Sequence, residues 1–320
     1  HDPVLQEKNN GEKTYQGYST DVITQLSLDW LEQRDKSKPF VLMTHYKNAH
    51  GRWEYPARNR DLYQDSTIPE PKSLWEDKNH RSPGSKNYGY TISETQRNRM
   101  TSPDWPTGPL DTEGMSRKQA IKATYQKYLK DYLRCVDALN ENVGRLLNYL
   151  DEEGLTQNTV VIYTSDQGLF LGEHNYIDKR WMYEESARMP FLCRYPTEIP
   201  AKTVNNDIIL NVDFAPLFLD YGRAEIPDDM QGGSFRENLK GNTSPRWRDS
   251  LYYRYWMHGS RPAHYGIRTH KYKLIFFYGL PLDANGADEQ PTKPGWELYD
   301  LEKDPHELQN VYNGPQYASI

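Results

Sequence analysis

At 320 residues, with 36% hydrophobic and 26% charged side chains, the chain has the composition of a folded globular protein rather than a disordered one. That length holds one large domain or two smaller ones. A net charge of -6 leaves no basic footprint for nucleic acid as the main partner, and no apolar run approaches the roughly 20 residues that span a bilayer. The two cysteines, Cys135 and Cys193, give no disulfide scaffold and no redox or zinc motif, so buried thiols are expected. The 25 tyrosines and 8 tryptophans suit a sugar-binding cleft and an ordinary core equally well.

From the start, Thr20 to Leu31 carries Val22, Ile23, Leu26 and Trp30 at helical spacing. Pro39 then precedes Phe40-Val-Leu-Met43, a short continuous apolar run of the kind found in strands buried on both faces of a parallel sheet. Between Gln64 and Gly114 the pattern gives way to Pro, Gly, Asn, Ser and charge. A lid or binding loop and a disordered excursion fit that stretch equally well. From Arg117 to Glu152 one long helix is predicted, because Ile121, Tyr125, Tyr128, Tyr132, Val136, Leu139, Val143, Leu146 and Leu150 advance by three or four. Gly154 is its natural stop.

Thr159 to Tyr163 reads as a second buried strand and Met189 to Tyr195 as a third. Ile208-Ile-Leu210 leads into a helical stretch at Phe214 to Leu219. Helix followed by buried strand, repeated, is the rhythm of an α/β fold. After Pro227 the texture changes to strand-like runs at Leu251–Trp256, His264–Thr269, Tyr272–Tyr278 and Trp296–Asp300. Thr269-His270-Lys271 is short enough for a tight antiparallel connection. The expected organisation is an α/β region over 1–226 and a small antiparallel subdomain over 227–320. The chain opens on His1-Asp-Pro and closes on Pro315-Gln-Tyr-Ala-Ser-Ile320, where a helix could be starting, so an internal segment of a longer protein is expected.

The apolar run Val160-Val-Ile-Tyr163 ends in Thr164-Ser-Asp-Gln-Gly168, and ligands of open α/β sheets sit beyond the carboxyl ends of the strands. Asp166 and Gln167 are therefore candidate metal ligands, two hard oxygens suited to calcium or magnesium. On those residues alone the alternative is a strand-ending turn, with the Asp bonded to local backbone and Gly168 at positive φ. His50 follows the apolar run at Phe40 in the same way and is a candidate proton donor to a leaving oxygen. Lys179 suits a sulfate or phosphate oxygen; a surface salt bridge to Asp178, Glu184 or Glu185 is the competing reading. His174 is a further ligand candidate, with a supporting or structural role preferred.

In order along nearly the whole chain stand Gly17-Tyr-Ser-Thr-Asp21, Lys38-Pro-Phe40, Asn48-Ala-His50, Thr164-Ser-Asp-Gln-Gly168, Leu171-Gly-Glu-His174, Asp178-Lys-Arg180 and Glu297-Leu-Tyr-Asp-Leu-Glu-Lys-Asp304. Together they resemble the motifs of the type I sulfatases of the alkaline phosphatase superfamily. The resemblance implies a mainly parallel sheet flanked by helices, followed by the small antiparallel C-terminal subdomain. It implies that Asp166 and Gln167 supply half of a Ca2+ site, that Lys179 binds sulfate, and that His50 protonates the departing alcohol. His50-Gly-Arg-Trp-Glu54 and His264-Tyr-Gly-Ile-Arg268 are most similar to enzymes acting on 6-sulfated N-acetylglucosamine, with His264 as a substrate contact. Sheet packing is the expected role for most of the nearby aromatics. A periplasmic, lysosomal or secreted setting follows the family's habit.

The sequence departs from that family in one respect that decides its activity. The family's nucleophile is a formylglycine made within Cys/Ser-x-Pro/Ala-x-Arg, but Cys135 leads into Val-Asp-Ala-Leu and Cys193 into Arg-Tyr-Pro-Thr. The serine match Ser260-Arg-Pro-Ala-His264 ends in histidine. The family's aspartate pair and its Gly-Lys-Trp-His segment are absent too, and all three would lie upstream of His1. The expectation is a sulfatase segment that is inactive by itself. The alternatives are a phosphodiesterase or phosphonate hydrolase of the same superfamily, and a non-catalytic glycan-binding remnant.

Overall fold

The computed structural model describes residues 1–8, 10–256 and 261–320 and divides into two compact units, 1–70 with 92–159 and 71–91 with 160–320. Ser260 of the serine match lies outside the described residues. Position 226 falls inside the second unit.

The first unit opens with an antiparallel hairpin, β1 (Val4–Glu7) and β2 (Gly11–Thr14), that pairs Val4 with Thr14. Its second strand, Gly-Glu-Lys-Thr, has no apolar alternation to announce it. Helix α1 (Ser19–Gln33) follows, then the one-turn α2 (Arg97–Met100) and the 36-residue α3 (Arg117–Glu152). Both ends of α3 are written in its sequence. Ser116 and Gln119 cap it reciprocally at the N-terminus. At the C-terminus Gly154 takes φ +67°, while Leu155 N–H donates to Leu150 O (2.8 Å) and Gly154 N–H to Asp151 O (3.2 Å). That is the glycine-terminated closure expected of a helix stop. Asn142 to Asp21 (2.7 Å) and Arg145 to Gln25 (2.6 Å) tie α3 to α1.

Phe40–Met43 forms no strand, which corrects the expectation of a buried one. The run is extended and lies along α1. Phe40 meets the Trp30 ring (centroids 6.3 Å apart), and Tyr46 OH lies 2.8 Å from Thr24 Oγ1. The alternate residues face outward, with Val41 79% and Met43 66% exposed. A strand buried on both faces needs neighbours on both, and here α1 covers one only.

In the second unit, β3 (Val161–Thr164) pairs antiparallel with β6 (Phe191–Arg194). Between them lie the two-residue strands β4 (Phe170–Leu171) and β5 (Ile177–Asp178), also antiparallel, and the one-turn helix α4 (Glu184–Ala187). Helices α5 (Phe214–Tyr221) and α6 (Arg236–Leu239) follow. A four-stranded antiparallel meander closes the unit: β7 (Ser250–Tyr255), β8 (His264–Thr269), β9 (Tyr272–Phe277) and β10 (Gly295–Asp300). The β8–β9 connection is the tight turn its sequence predicts. Every ladder among the described residues is antiparallel.

The second unit's core joins the loops before α4 to the sheet. Phe170, Tyr176, Trp181, Met182 and Tyr183 pack on Ile275, Phe277 and Tyr299. Segment 71–91 is an ordered part of this unit rather than a disordered excursion. Leu74 and Ser85 are buried, and Ile177 N–H donates to Tyr90 O (3.0 Å). Among the described residues no helix is long and apolar enough to cross a membrane.

Candidate active site

The two candidate metal ligands sit where β3 runs out, on a turn backed by α4. The Gln167 side-chain amide donates to Ser186 O (2.8 Å), and Gly168 N–H donates to the same carbonyl (3.1 Å). With its nitrogen engaged, the amide oxygen of Gln167 is the atom left for a cation. Gly168 is required by close approach rather than by conformation. A Cβ there would lie 2.7 Å from both Ser186 O and Arg188 O, and its φ is not in the left-handed region. Asp166 is exposed, and among the described residues its carboxylate receives only the Ser165 hydroxyl at 3.4 Å. The turn in which Asp166 folds onto local backbone is therefore not the one observed.

A carboxylate and an oriented amide oxygen are the donors a hard cation selects. Among the described residues no group of three or more His, Cys, Asp or Glu converges as a metal site. Asp166 and Gln167 thus fit calcium in kind, and would account for two of the six to eight oxygens such an ion takes.

Lys179 follows β5, between two residues held in the left-handed region, Asp178 (φ 72°) and Arg180 (φ 80°). Its ammonium has no hydrogen bond or ion pair among the described residues, because the neighbouring carboxylates are taken. Asp178 pairs with Arg180 (3.2 Å) and Arg261. Glu184 pairs with Arg268 (3.1 Å) and Lys273 (2.8 Å). Glu185 faces His174 Nε2 at 3.6 Å. The salt bridge of Lys179 to Asp178, Glu184 or Glu185 is therefore not the arrangement observed among the described residues. Ser186 joins both turns: its carbonyl holds Gln167, and its hydroxyl accepts from Trp181 N–H (3.2 Å), two residues past Lys179.

Beneath these turns lies a layer of buried charge. Lys273 bridges Glu184 and Glu307 (2.7 Å). Burial raises the Glu184 carboxyl, but the charge of Lys273 and hydrogen bonds from Arg268 and Lys273 outweigh it and lower the group to about 2. His174 is fully buried at a left-handed φ of 55°, with Glu76 2.6 Å from its Nδ1. Its role is to pack and pair, as preferred from the sequence, rather than to ligate. Glu297 accepts from Ser82 N–H (3.0 Å), Tyr183 OH (2.7 Å), Tyr299 OH (2.8 Å) and the Ser85 hydroxyl.

His50 belongs to the first unit, and Asp166, Gln167 and Lys179 to the second. Its loop is anchored at both sides. Asn48 donates to Tyr18 OH (2.8 Å) and Cys135 O (3.1 Å), and Trp53 Nε1 donates to Ala49 O (3.1 Å). Trp53 itself is buried against Tyr128, ring centroids 4.5 Å apart. His50 is exposed, with Nδ1 2.8 Å from Gly51 O. A carbonyl only accepts, so Nδ1 carries a hydrogen and Nε2 is the nitrogen turned to solvent.

His264 corrects an expectation. It is fully buried at the start of β8, with Nδ1 2.8 Å from Pro262 O and Trp181, Tyr253 and Phe277 around its ring. Burial lowers it to about 4, so it stands neutral in an aromatic core. The sheet-packing role fits it; contact with a sugar does not. Cys135 is buried and Cys193 half-buried, and burial pushes the thiols up to about 12 and about 11. Neither is a nucleophile at neutral pH. The sequence reading gave no role to Ser186, or to Arg261 within the failed serine match; both gain their roles only through tertiary contact.

The family model described as Sulfatase matches residues 2–223, and that described as N-sulphoglucosamine sulphohydrolase, C-terminal, matches residues 172–320. The chain is 38% identical to the N-acetylglucosamine-6-O-sulfatase of Bacteroides thetaiotaomicron, across 94% of this chain and 59% of that protein. It is 28% identical to an arylsulfatase of Clostridium perfringens, across 94% and 55%. It thus spans a little over half the length of these relatives. A structure solved with its substrate D-glucosamine-2-N,6-O-disulfate superposes at TM-score 0.86 with 36% identity, covering 100% of this chain and 70% of that one. The phosphonate monoester hydrolase of Agrobacterium radiobacter superposes at TM-score 0.70 with 19% identity, covering 94% and 58%, a likeness of fold.

Proposed function

The chain belongs to the sulfatase family, with its alkaline-phosphatase-like α/β fold and small C-terminal antiparallel sheet, and from that premise we propose that it carries the sulfate-binding part of a sulfuric ester hydrolase. The proposed substrate is a glycan bearing N-acetylglucosamine 6-sulfate. One observation carries this reading: among the described residues the Lys179 ammonium is unpaired although Asp178, Glu184 and Glu185 lie close to it in sequence; Asp178 is engaged by Arg180 and Arg261, Glu184 by Arg268 and Lys273, and Glu185 faces His174. An unpaired lysine on a turn that Ser186 links to the turn of two hard oxygen donors suits a sulfate ester.

Lys179 would hold a sulfuryl oxygen, and Asp166 and Gln167 would contribute to a calcium site. The bound ion would supply positive charge against the sulfuryl oxygens. Ser186 would fix the spacing of the two turns through its bonds to Gln167 and Trp181. His50, protonated, would release its proton from Nε2 to the departing alcohol oxygen. Residues 1–226 would belong to the α/β catalytic domain and 227–320 to its C-terminal subdomain. Turnover would belong to a protein of its relatives' length that carries the formylglycine motif, in a periplasmic, lysosomal or secreted setting, and this chain alone would release no sulfate.

The test is titration of the chain with N-acetylglucosamine 6-sulfate, comparing wild type with Lys179→Ala. Loss of one charge-assisted contact should weaken binding roughly 10- to 100-fold. Equal affinity in the two proteins, or no binding by wild type, overturns the assignment. A phosphate or phosphonate ester is the second reading, favoured by the fold shared with the phosphonate monoester hydrolase. Tighter binding of the 6-phosphate of the same sugar would select it.

A further inference from the structure

We propose that Arg261 is a positioning residue for Lys179, acting through Asp178; the inference rests on the reading of Lys179 as the sulfate-binding cation. Two adjacent problems in the second unit have one solution. Asp178 and Arg180 flank Lys179 in left-handed backbone, at φ 72° and 80°. Left-handed backbone at a residue other than glycine persists only where its surroundings fix it. Asp178 is also the carboxylate nearest to Lys179 in sequence, and free to move it would pair with the lysine and cancel its charge.

Arg261 addresses both. Its guanidinium is fully buried, lies 3.8 Å from the Tyr90 ring centroid, and donates through Nη2 to Asp178 Oδ2. Its Nε and Nη1 have no hydrogen-bond partner among the described residues, so Asp178 is its sole carboxylate. A buried guanidinium with a single counter-charge is weak support for stability alone. Arg261 and Arg180 (3.2 Å) both donate to Asp178 Oδ2, which holds the carboxylate on these two guanidiniums and away from pairing with Lys179. The four residues Asp178, Lys179, Arg180 and Arg261 carry three positive charges and one negative, a field that favours an anion at Lys179.

The consequence is a double-mutant relation. Arg261→Met frees Asp178 to pair with Lys179; Asp178→Asn removes the carboxylate that would do so. The readout is the rate at which acetic anhydride modifies Lys179 in the full chain, followed by peptide mass spectrometry and normalised to exposed Lys38. This readout requires no sulfated ligand. Arg261→Met should slow modification several-fold, because an ion-paired ammonium loses its proton less readily. Adding Asp178→Asn should restore the wild-type rate, and Arg261→Lys, which keeps a cation, should stay near it. A rate unchanged by Arg261→Met, or a fall not recovered in the double variant, overturns the proposal. Should Arg261→Met lose its fold by circular dichroism, Arg261→Gln carries the same expectations. Weaker binding of N-acetylglucosamine 6-sulfate by Lys179→Ala tests the sulfate reading separately, so the two can fail independently.

Discussion

The turn that presents Lys179 and the loop that presents His50 are both candidate parts of one chemistry, yet they are held by different physics. The Lys179 turn rests on buried charge: Arg261 on Asp178, Arg268 and Lys273 on Glu184, and Glu297 under Tyr183. The His50 loop rests on neutral bonds from Asn48 and Trp53 and on the packing of the Trp53 ring. An ammonium meant for a sulfate must keep nearby carboxylates occupied, and only fixed cations do that. A proton donor needs a steady backbone and an open ring nitrogen, which neutral hydrogen bonds provide. Charge in the support should therefore make the second unit sensitive to single substitutions and to pH, and the first unit less so.

The largest effect is expected at Glu297. Glu297→Ala strips the acceptor from four buried donors at once. A loss of about 3–5 kcal/mol in the second unit should follow, read as a fall in the urea midpoint. Gly168→Ala comes next. A Cβ there meets Ser186 O and Arg188 O at 2.7 Å, both backbone atoms that cannot swing aside. Overpacking of this kind costs about 1–3 kcal/mol. It should also push Gln167 away from Ser186 and weaken calcium binding, measured by calorimetry. A Gly168→Ala protein that binds calcium like wild type would break the link between α4 and the candidate metal turn.

In the first unit, Asn48→Ala removes the donors to Tyr18 and to Cys135 O. Its cost should be smaller, about 1–2 kcal/mol. The His50 ring signals in a proton NMR spectrum should shift, while the reactivity of Lys179 stays unchanged. A change at Lys179 would show that the two supports are not independent and would blunt the comparison.

How much of this the sequence displays follows the same division. Helix α3 was legible from its apolar spacing and Gly154, while its Ser116–Gln119 box was recognised only in the structure; the four C-terminal strands were legible from their strand-like runs and short turns. These are local signals. Asp166, Gln167, Lys179 and His50 were legible as candidates through motif order, but their supports were not. Ser186 acts through its backbone carbonyl and hydroxyl, and Arg261 through a partner 83 residues away. Phe40–Met43 failed as a strand because an apolar run states that a segment is to be covered without stating by what. His264 failed as a contact because histidine has no pattern that separates a buried ring from an exposed one.

The smallest predicted effect concerns pH, and its sign follows from His174. Burial and the charge of Arg81 push the imidazole down, but Glu185 and Glu76 outweigh them and leave it raised above its ordinary value of 6.5. Tyr176 and Tyr183 are the other titratable rings packed against it. A raised folded-state value means that protonated His174 stabilises the second unit. That contribution is complete below 6.5 and disappears as pH rises through the folded value. Melting temperature should therefore decline from pH 6 into the alkaline range, and His174→Gln should flatten the decline. Glu184, lowered to about 2, works in the opposite direction: its contribution is present above 4.5 and vanishes as pH falls towards 2. A second-unit optimum between those windows is what a support built of buried ion pairs requires. A His174→Gln protein that keeps the full alkaline decline would move its origin elsewhere and leave the buried histidine as packing alone.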